Sequence, residues 1–403
     1  MSAEPLPINP LVGRFATYPF VEIENRKRAL RSQGVEVIDL SIGDPREATP
    51  GFIAEALKSH VPAQSSYPTV LGRPELRQAI AGWYARRHGV TLDPESEILP
   101  SNGSKEAIFN IHLALVDPGG ARRRVLIPSP AYPVYERGAA FAGGVPTALP
   151  LTEDRGFLPD LAAVPERTWR ETALLWLNYP HNPTGASAPA LFYEQALTLA
   201  RRHGFVVASD EAYSELSFGE PAPSLLAFGT DHALVFQTLS KRSAMTGYRS
   251  GFVAGDRKLV AAFRALRPVL GVATPEFVQY AAEAAWNDEA HVSALRDTFQ
   301  AKRDEAIAFF AREGAAAGLR VVPNHATFYL WVAVPKGTSS MAEAARWLDE
   351  AGVAVVPGEA MGDGGAGYLR IALVPPLEEC RLAWRRLAPV LAGPRAATGR
   401  RAP

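Results

Sequence analysis

The chain has 403 residues, 47% of them hydrophobic and 21% charged, with 42 Lys+Arg balanced by 42 Asp+Glu. That length allows a large core and a second, smaller lobe, and a net charge of zero argues against a nucleic-acid or membrane-surface partner. The single cysteine, Cys380, excludes an intrachain disulfide and a thiolate zinc site; with no apolar run reaching the ~18 residues of a membrane span, the sequence reads as soluble and cytoplasmic.

The N-terminal stretch begins Pro-rich and turns amphipathic from Val21 to Gln33, predicting a helix that ends at Gly34. Val35 to Ile42 reads as a strand. After Gly43-Asp44-Pro45 a helix-and-loop stretch runs to Tyr67, and Glu75 to His88 has helical periodicity behind a proline at its first turn. Between about 98 and 255, the apolar runs Val125–Pro128, Ala173–Leu177, Phe205–Ala208, Leu234–Gln237 and Gly251–Ala254 alternate with helical segments such as Lys105–Leu115 and Pro189–Arg202. That rhythm predicts an α/β fold with a large, mostly parallel sheet sandwiched by helices. Residues 256 to 316 read as helical. The last lobe then mixes strand-like Thr327–Val334, Val353–Val356 and Tyr368–Leu373 with helices at Met341–Ala351 and Leu377–Leu391, a smaller α+β domain. The predicted division is an arm with part of the small domain at 1–45, a large domain at 46–285, the small domain at 286–392 and a disordered tail at 393–403.

Ligands of open α/β sheets bind beyond the carboxyl ends of the strands. Four such ends carry polar residues: Tyr132, the run Asn178–Gly185 with Asn182 inside it, Asp210 with Tyr213, and Ser240-Lys241. The chain has only seven lysines, so a lysine in an apolar setting is informative. Asp210 and Lys241 could face one crevice, either as a plain ion pair or in separate roles. In the second case the acid holds a heterocyclic nitrogen protonated while a lysine of lowered pKa attacks an aldehyde. Ser101-Asn102-Gly103-Ser104-Lys105 is a polar, Gly-containing turn opening a helix, which serves as an ordinary N-cap or as an anion cradle. Arg249 could add a charge-assisted bond to such an anion.

The stretches Asn182-Pro183-Thr184-Gly185, Ser209-Asp210-Glu211-Ala212-Tyr213, and Ser240-Lys241 followed by Met245-Thr246-Gly247-Tyr248-Arg249 resemble, in order and spacing, the class I/II aminotransferases of fold type I. The resemblance runs from about Tyr18 to Leu391. It implies pyridoxal 5'-phosphate as cofactor, an amino acid and a 2-oxo acid as substrates, and a homodimer with shared active sites. It further implies that Lys241 bonds the cofactor aldehyde as a Schiff base and later acts as a base, that Asp210 pairs with the pyridine nitrogen, that Asn182 and Tyr213 bond the ring's 3-oxygen, and that Tyr132 stacks on the ring. Gly103, Ser104, Lys105, Thr238, Ser240 and Arg249 would hold the phosphate, with Tyr67 reaching in from the second subunit. Arg370 would clamp the substrate α-carboxylate, with Tyr18, Gly43 and Asn182 close to the substrate. Thr238 stands where the family often has serine, and keeps the hydroxyl.

Three further stretches, Ser41–Glu47, Gly103–Phe109 and Pro130–Gly138, resemble succinyldiaminopimelate aminotransferases of bacterial lysine synthesis. This implies transamination between N-succinyl-LL-2,6-diaminopimelate and 2-oxoglutarate. Aspartate, aromatic or LL-diaminopimelate transamination is the alternative, followed by a carbon-sulfur lyase. A substrate with a distant carboxylate requires a second cation, for which Lys105, Arg46 and Arg73 are candidates in that order. Gly362–Gly367 satisfies G-x-G-x-x-G, but it leads into a strand instead of opening a helix, which predicts a flexible loop near the substrate entrance and no dinucleotide site.

Overall fold

The computed structural model describes residues 6–16, 19–271 and 273–393; Tyr18 and the predicted tail from 394 onward lie outside the described residues. In chain order the strands are β1 (Ile38–Asp39), β2 (Ile98–Ser101), β3 (Arg124–Ser129), β4 (Val145–Pro150), β5 (Thr172–Leu177), β6 (Val206–Asp210), β7 (Ala233–Thr238), β8 (Gly251–Gly255), β9 (Arg320–Val321), β10 (Tyr329–Ala333), β11 (Val353–Ala354), β12 (Val356–Pro357) and β13 (Tyr368–Ala372). β2 to β8 make one seven-stranded sheet in the order β2-β8-β7-β6-β5-β3-β4. Only β8 runs against its neighbours, so the carboxyl ends of the other six share one edge.

Two opposite apolar faces follow from the period-two alternation of side chains along a strand. Leu126, Leu175, Val207 and Val235 pack into one core with the helices Pro74–His88, Ala190–His203 and Glu276–Trp286. Val125, Trp176, Ala208 and Phe236 pack into another with Ser104–Leu115, Val134–Phe141 and Arg257–Leu270. Covered on both faces, the sheet leaves its strand-end edge as the place for polar chemistry. β2 and β4, which the apolar runs did not disclose, are the two edge strands, and both contain proline (Pro100, Pro146, Pro150), a residue that edges tolerate because it lacks an N–H to give to a neighbour.

The smaller sheet is ordered β12-β13-β10-β9, entirely antiparallel, and its apolar face packs with Ala290–Phe309, Ser340–Ala351 and Leu377–Ala392. Two predicted strands come out differently. Of Val35 to Ile42 only Ile38–Asp39 pairs, in parallel with β11, so an N-terminal segment is stitched to the C-terminal part of the chain. Val353–Val356 divides between β11 and β12, which join different sheets. The arm helix spans Pro19–Ser32, close to the predicted range. Among the described residues no helix is long and apolar enough to cross a membrane.

Trp83 is fully buried, with ring centroids 4.7 Å from Trp286 and 6.3 Å from Phe252, and joins two helices to the sheet. Trp83→Ala should destabilise the fold by about 3–5 kcal/mol, read as a lower midpoint in urea unfolding with an unchanged slope.

Candidate active site

The polar strand ends converge on a cavity of about 710 Å³. Its wall includes Gly43, Ser104, Lys105, Tyr132, Asn182, Asp210, Tyr213, Thr238, Ser240, Lys241, Arg249 and Arg370, twelve of the residues selected from the sequence. Gly103 does not line the cavity but immediately precedes Ser104, which does. Tyr67 does not line it and is 93% exposed.

Asp210 ends β6 and is buried. Burial pushes its carboxyl up to about 6, against the pull of a 2.7 Å hydrogen bond donated by the Tyr135 hydroxyl, a 3.2 Å bond from the Ala212 amide, and the charge of Lys241. Tyr135 in turn stacks on Trp176 at 4.7 Å, and the Trp176 indole N–H donates to His112 Nε2 at 3.0 Å. Burial lowers His112 to about 4, so the imidazole is neutral and accepts that bond.

Lys241 lies in the short helix Leu239–Arg242 that follows β7. Burial carries its amine down to about 8; Asp44 opposes this shift, while Arg370, Arg249 and Lys105 reinforce it. Its Nζ donates to the Gly43 carbonyl. Arg370 comes from β13, registered between Trp331 and Val356 in the middle of the smaller sheet. Its guanidinium donates to Asn182 Oδ1 at 3.2 Å and to the Ser41 carbonyl at 2.8 Å, and lies over the Tyr329 ring at 4.5 Å. The Tyr213 and Tyr329 hydroxyls are 3.1 Å apart.

The opposite end of the cavity is an anion cradle. Gly103, at φ +79°, precedes the helix Ser104–Leu115, whose first N–H groups have no helical partner. Gly103 favours glycine through its positive φ, and a Cβ there, 2.6 Å from the Arg249 guanidinium, would displace it; a Cβ on Gly251 would meet the Gln237 carbonyl oxygen at 2.4 Å and Ser104 N at 3.0 Å, so glycine lets the strand close on the turn. The Thr238 hydroxyl donates to Ser240 Oγ at 3.0 Å, which sets two hydroxyls beside the turn.

Pyridoxal phosphate fits this arrangement. A phosphate matches the cradle, a protonated ring nitrogen supplies the cation that the buried Asp210 carboxylate needs, and an aldehyde matches an amine of lowered pKa.

Two expected cations are absent from the wall. Arg46 is paired with Glu379 at 3.0 Å on the surface, and Arg73 is held by Glu283 at 2.6 Å and lies over the Tyr280 ring at 3.4 Å, so ion pairing elsewhere removes both from the cavity. Arg137 stands in the wall instead. The glycine run near β13 is not a loose loop. It contains a short 3₁₀ turn at Asp363–Gly365, preceded by another at Gly358–Met361, and Gly364 N donates to Ser129 Oγ at the end of β3 at 3.2 Å.

Sequence reasoning missed Tyr135 as the partner of Asp210, and assigned no role to Asn178 at the head of its polar run, whose amide donates to the Asp210 carbonyl at 2.8 Å and accepts from Asn182 N at 3.0 Å. One signal was available: Tyr135 lies one helical turn beyond Tyr132.

A family model described as Aminotransferase class I and II matches residues 35–387. The LL-diaminopimelate aminotransferase of Aquifex aeolicus is 40% identical over 376 residues, covering 92% of this chain and 95% of that protein. The same-named protein of Desulforudis audaxviator is 41% identical over 376 residues, with 92% and 94% covered. Among solved structures, a probable N-succinyldiaminopimelate aminotransferase from Thermus thermophilus is 34% identical with a TM-score of 0.84, covering 92% of this chain and 99% of that one. A single mutant of the Thermus thermophilus aspartate aminotransferase is 30% identical with a TM-score of 0.87, covering 96% and 100%. The fold is that of these fold-type I enzymes.

Tyr135→Phe removes a hydroxyl donor to a buried carboxylate, a bond worth roughly 1.5–3 kcal/mol. Asp210 then protonates more readily, and the affinity for pyridoxal phosphate should fall about 10-fold or more, measured by equilibrium dialysis.

Proposed function

The chain belongs to the class I and II aminotransferases, which use pyridoxal 5'-phosphate, and from that premise we propose that it transfers an amino group between LL-diaminopimelate and a 2-oxo acid. The observation that carries the site assignment is the convergence of Asp210, Lys241 and Arg370, from three separate elements, on one cavity. Relatives at 40% and 41% identity named for LL-diaminopimelate support the substrate, in preference to the N-succinyl compound that the shorter sequence stretches suggested.

The wall chemistry also supports it. The far end of LL-diaminopimelate is a second amino acid group carrying both charges, and the wall offers Lys105 and Arg137 as cations and Asp44 as an anion. A succinylated substrate exchanges that ammonium for an amide and adds a carboxylate, which leaves Asp44 without a partner on the substrate.

When bound, pyridoxal phosphate supplies a conjugated cationic ring that accepts the electrons released at the substrate Cα. Asp210 would hold the ring nitrogen protonated, with the hydrogen bond from Tyr135 favouring the ionised carboxylate. Asn182 and Tyr213 would bond the 3-oxygen, and Tyr132 would stack on the ring. Gly103, Ser104, Lys105, Thr238, Ser240 and Arg249 would hold the phosphate, with Tyr67 contributed by the second subunit of a cytoplasmic homodimer. Arg370 holds the α-carboxylate by a two-pronged contact that sets the direction of the Cα–H bond. Lys241 Nζ takes the Cα proton, and its lowered pKa makes the neutral amine available near pH 8.

The panel that tests the substrate comprises LL-diaminopimelate, its N-succinyl derivative, aspartate and phenylalanine, each with 2-oxoglutarate. LL-diaminopimelate should lead in kcat/KM by about 10-fold or more. A lead for the N-succinyl compound would reinstate that reading, and a lead for aspartate or phenylalanine would remove both.

The amine of Lys241 attacks only when unprotonated, so cofactor capture by the apoprotein should quicken as pH rises through about 8 and level off above it. Absorbance during reconstitution reads this rate, and Lys241→Ala should abolish the covalent band.

A further inference from the structure

The stretch from Asp39 to Glu47 forms part of the cavity wall through Ser41, Ile42, Gly43 and Asp44. Beyond the two residues of β1 it belongs to no strand or helix. Yet two functional side chains lean on its backbone: Arg370 on the Ser41 carbonyl at 2.8 Å, and Lys241 on that of Gly43. An irregular segment can orient a guanidinium only if something holds the segment itself.

Buried ion pairs hold it at both ends. Lys302, 1% exposed, reaches Glu47. At the other end Lys27, also 1% exposed and carried on the helix Pro19–Ser32, contacts Asp39 Oδ2 at 2.6 Å. The second oxygen, Asp39 Oδ1, accepts from the Ser41 amide at 3.0 Å and from the Ser41 hydroxyl at 2.5 Å. The carboxylate is therefore a bridge from Lys27 to the residue whose carbonyl receives Arg370. Burial alone would raise the Asp39 carboxyl, but the bonds from Lys27 and Ser41 outweigh it and leave the group below its ordinary value.

We propose that Lys27 is a positioning residue for substrate binding, fixing through Asp39 and Ser41 the carbonyl against which Arg370 is aimed. The inference rests on the reading of Arg370 as the α-carboxylate anchor. Without Lys27 the Asp39 carboxylate is buried and uncompensated, and it relieves this by protonating or moving, either of which loosens Ser41. A bidentate contact depends steeply on angle, so the loss falls on carboxylate binding and spares proton transfer at Lys241.

The test uses the holoenzyme and maleate, a dicarboxylate that carries no amino or oxo group to transfer, with binding followed by calorimetry beside steady-state kinetics. Lys27→Met should raise KM and the maleate Kd by about 10-fold with kcat within about threefold of the parent, and Lys27→Arg should recover most of the loss. Ser41→Ala, which removes the hydroxyl bond of the bridge and keeps the amide bond and the carbonyl, should weaken maleate in the same direction by a smaller factor and carries the test if Lys27→Met does not fold. Arg77→Met removes another buried cation, paired at 2.7 Å with the exposed Glu95 and outside the cavity wall, and controls for general destabilisation. The proposal is overturned if Lys27→Met keeps parental KM and Kd while Arg370→Lys raises both, or if Arg77→Met weakens maleate as much as Lys27→Met does. Should Arg370→Lys itself leave KM and Kd unchanged, the anchor reading fails and this inference with it.

Discussion

A buried carboxylate and a half-buried amine at neighbouring strand ends are the constraint around which the rest of this molecule is arranged. Neither Asp210 nor Lys241 is comfortable: burial drives the acid up to about 6 and the amine down to about 8, each toward its neutral form. A surface pair would collapse into a salt bridge of little consequence. Here the two side chains issue from β6 and from the turn after β7, on the wall of a cavity large enough to admit a third party between them. The sheet, covered by helices on both faces, supplies the low dielectric that makes those shifts possible. It also supplies the rigid strand ends that keep the two groups in place.

Support for this pair is graded by charge. Behind Asp210 the partners are neutral: the Tyr135 hydroxyl, then Trp176, then an uncharged His112. A cation there would satisfy the carboxylate without any ligand. Neutral donors keep it polarised and leave room for a positive ring nitrogen. Around Lys241 the arrangement is reversed, with Arg370, Arg249 and Lys105 adding like charge that favours the reactive, unprotonated amine. The same cations attract phosphate and carboxylates, so one set of residues both tunes the amine and recruits anionic ligands.

The wall also shows how elements far apart in sequence are made to cooperate. Residues 41–44 lie between the two sheets' contributions, receiving Lys241 from one and Arg370 from the other. β1 pairs with β11, and Lys27 on the arm helix grips Asp39, so the N-terminal region behaves structurally as part of the C-terminal lobe.

The sequence alone picked out most of the residues that line the candidate site, because strand-end residues follow directly on apolar runs. Asp210 closes one run, Lys241 follows another, Asn182 sits in a Pro-rich turn after a third, and the parallel α/β rhythm sends all of them to one edge. The edge strands β2 and β4 were hidden because proline interrupts the apolar pattern, and the pairing of Ile38–Asp39 with β11 depends on a contact more than 300 residues away. Tertiary structure alone decided which cations face the cavity. Composition makes Arg46, Arg73 and Arg137 equivalent, but the first two are held away from the cavity by Glu379 and Glu283, and ion pairing between distant segments leaves no periodic trace in a chain. Lys27 belongs to the same class: in the sequence it is one basic residue on an amphipathic helix, and only the folded chain sets it against Asp39.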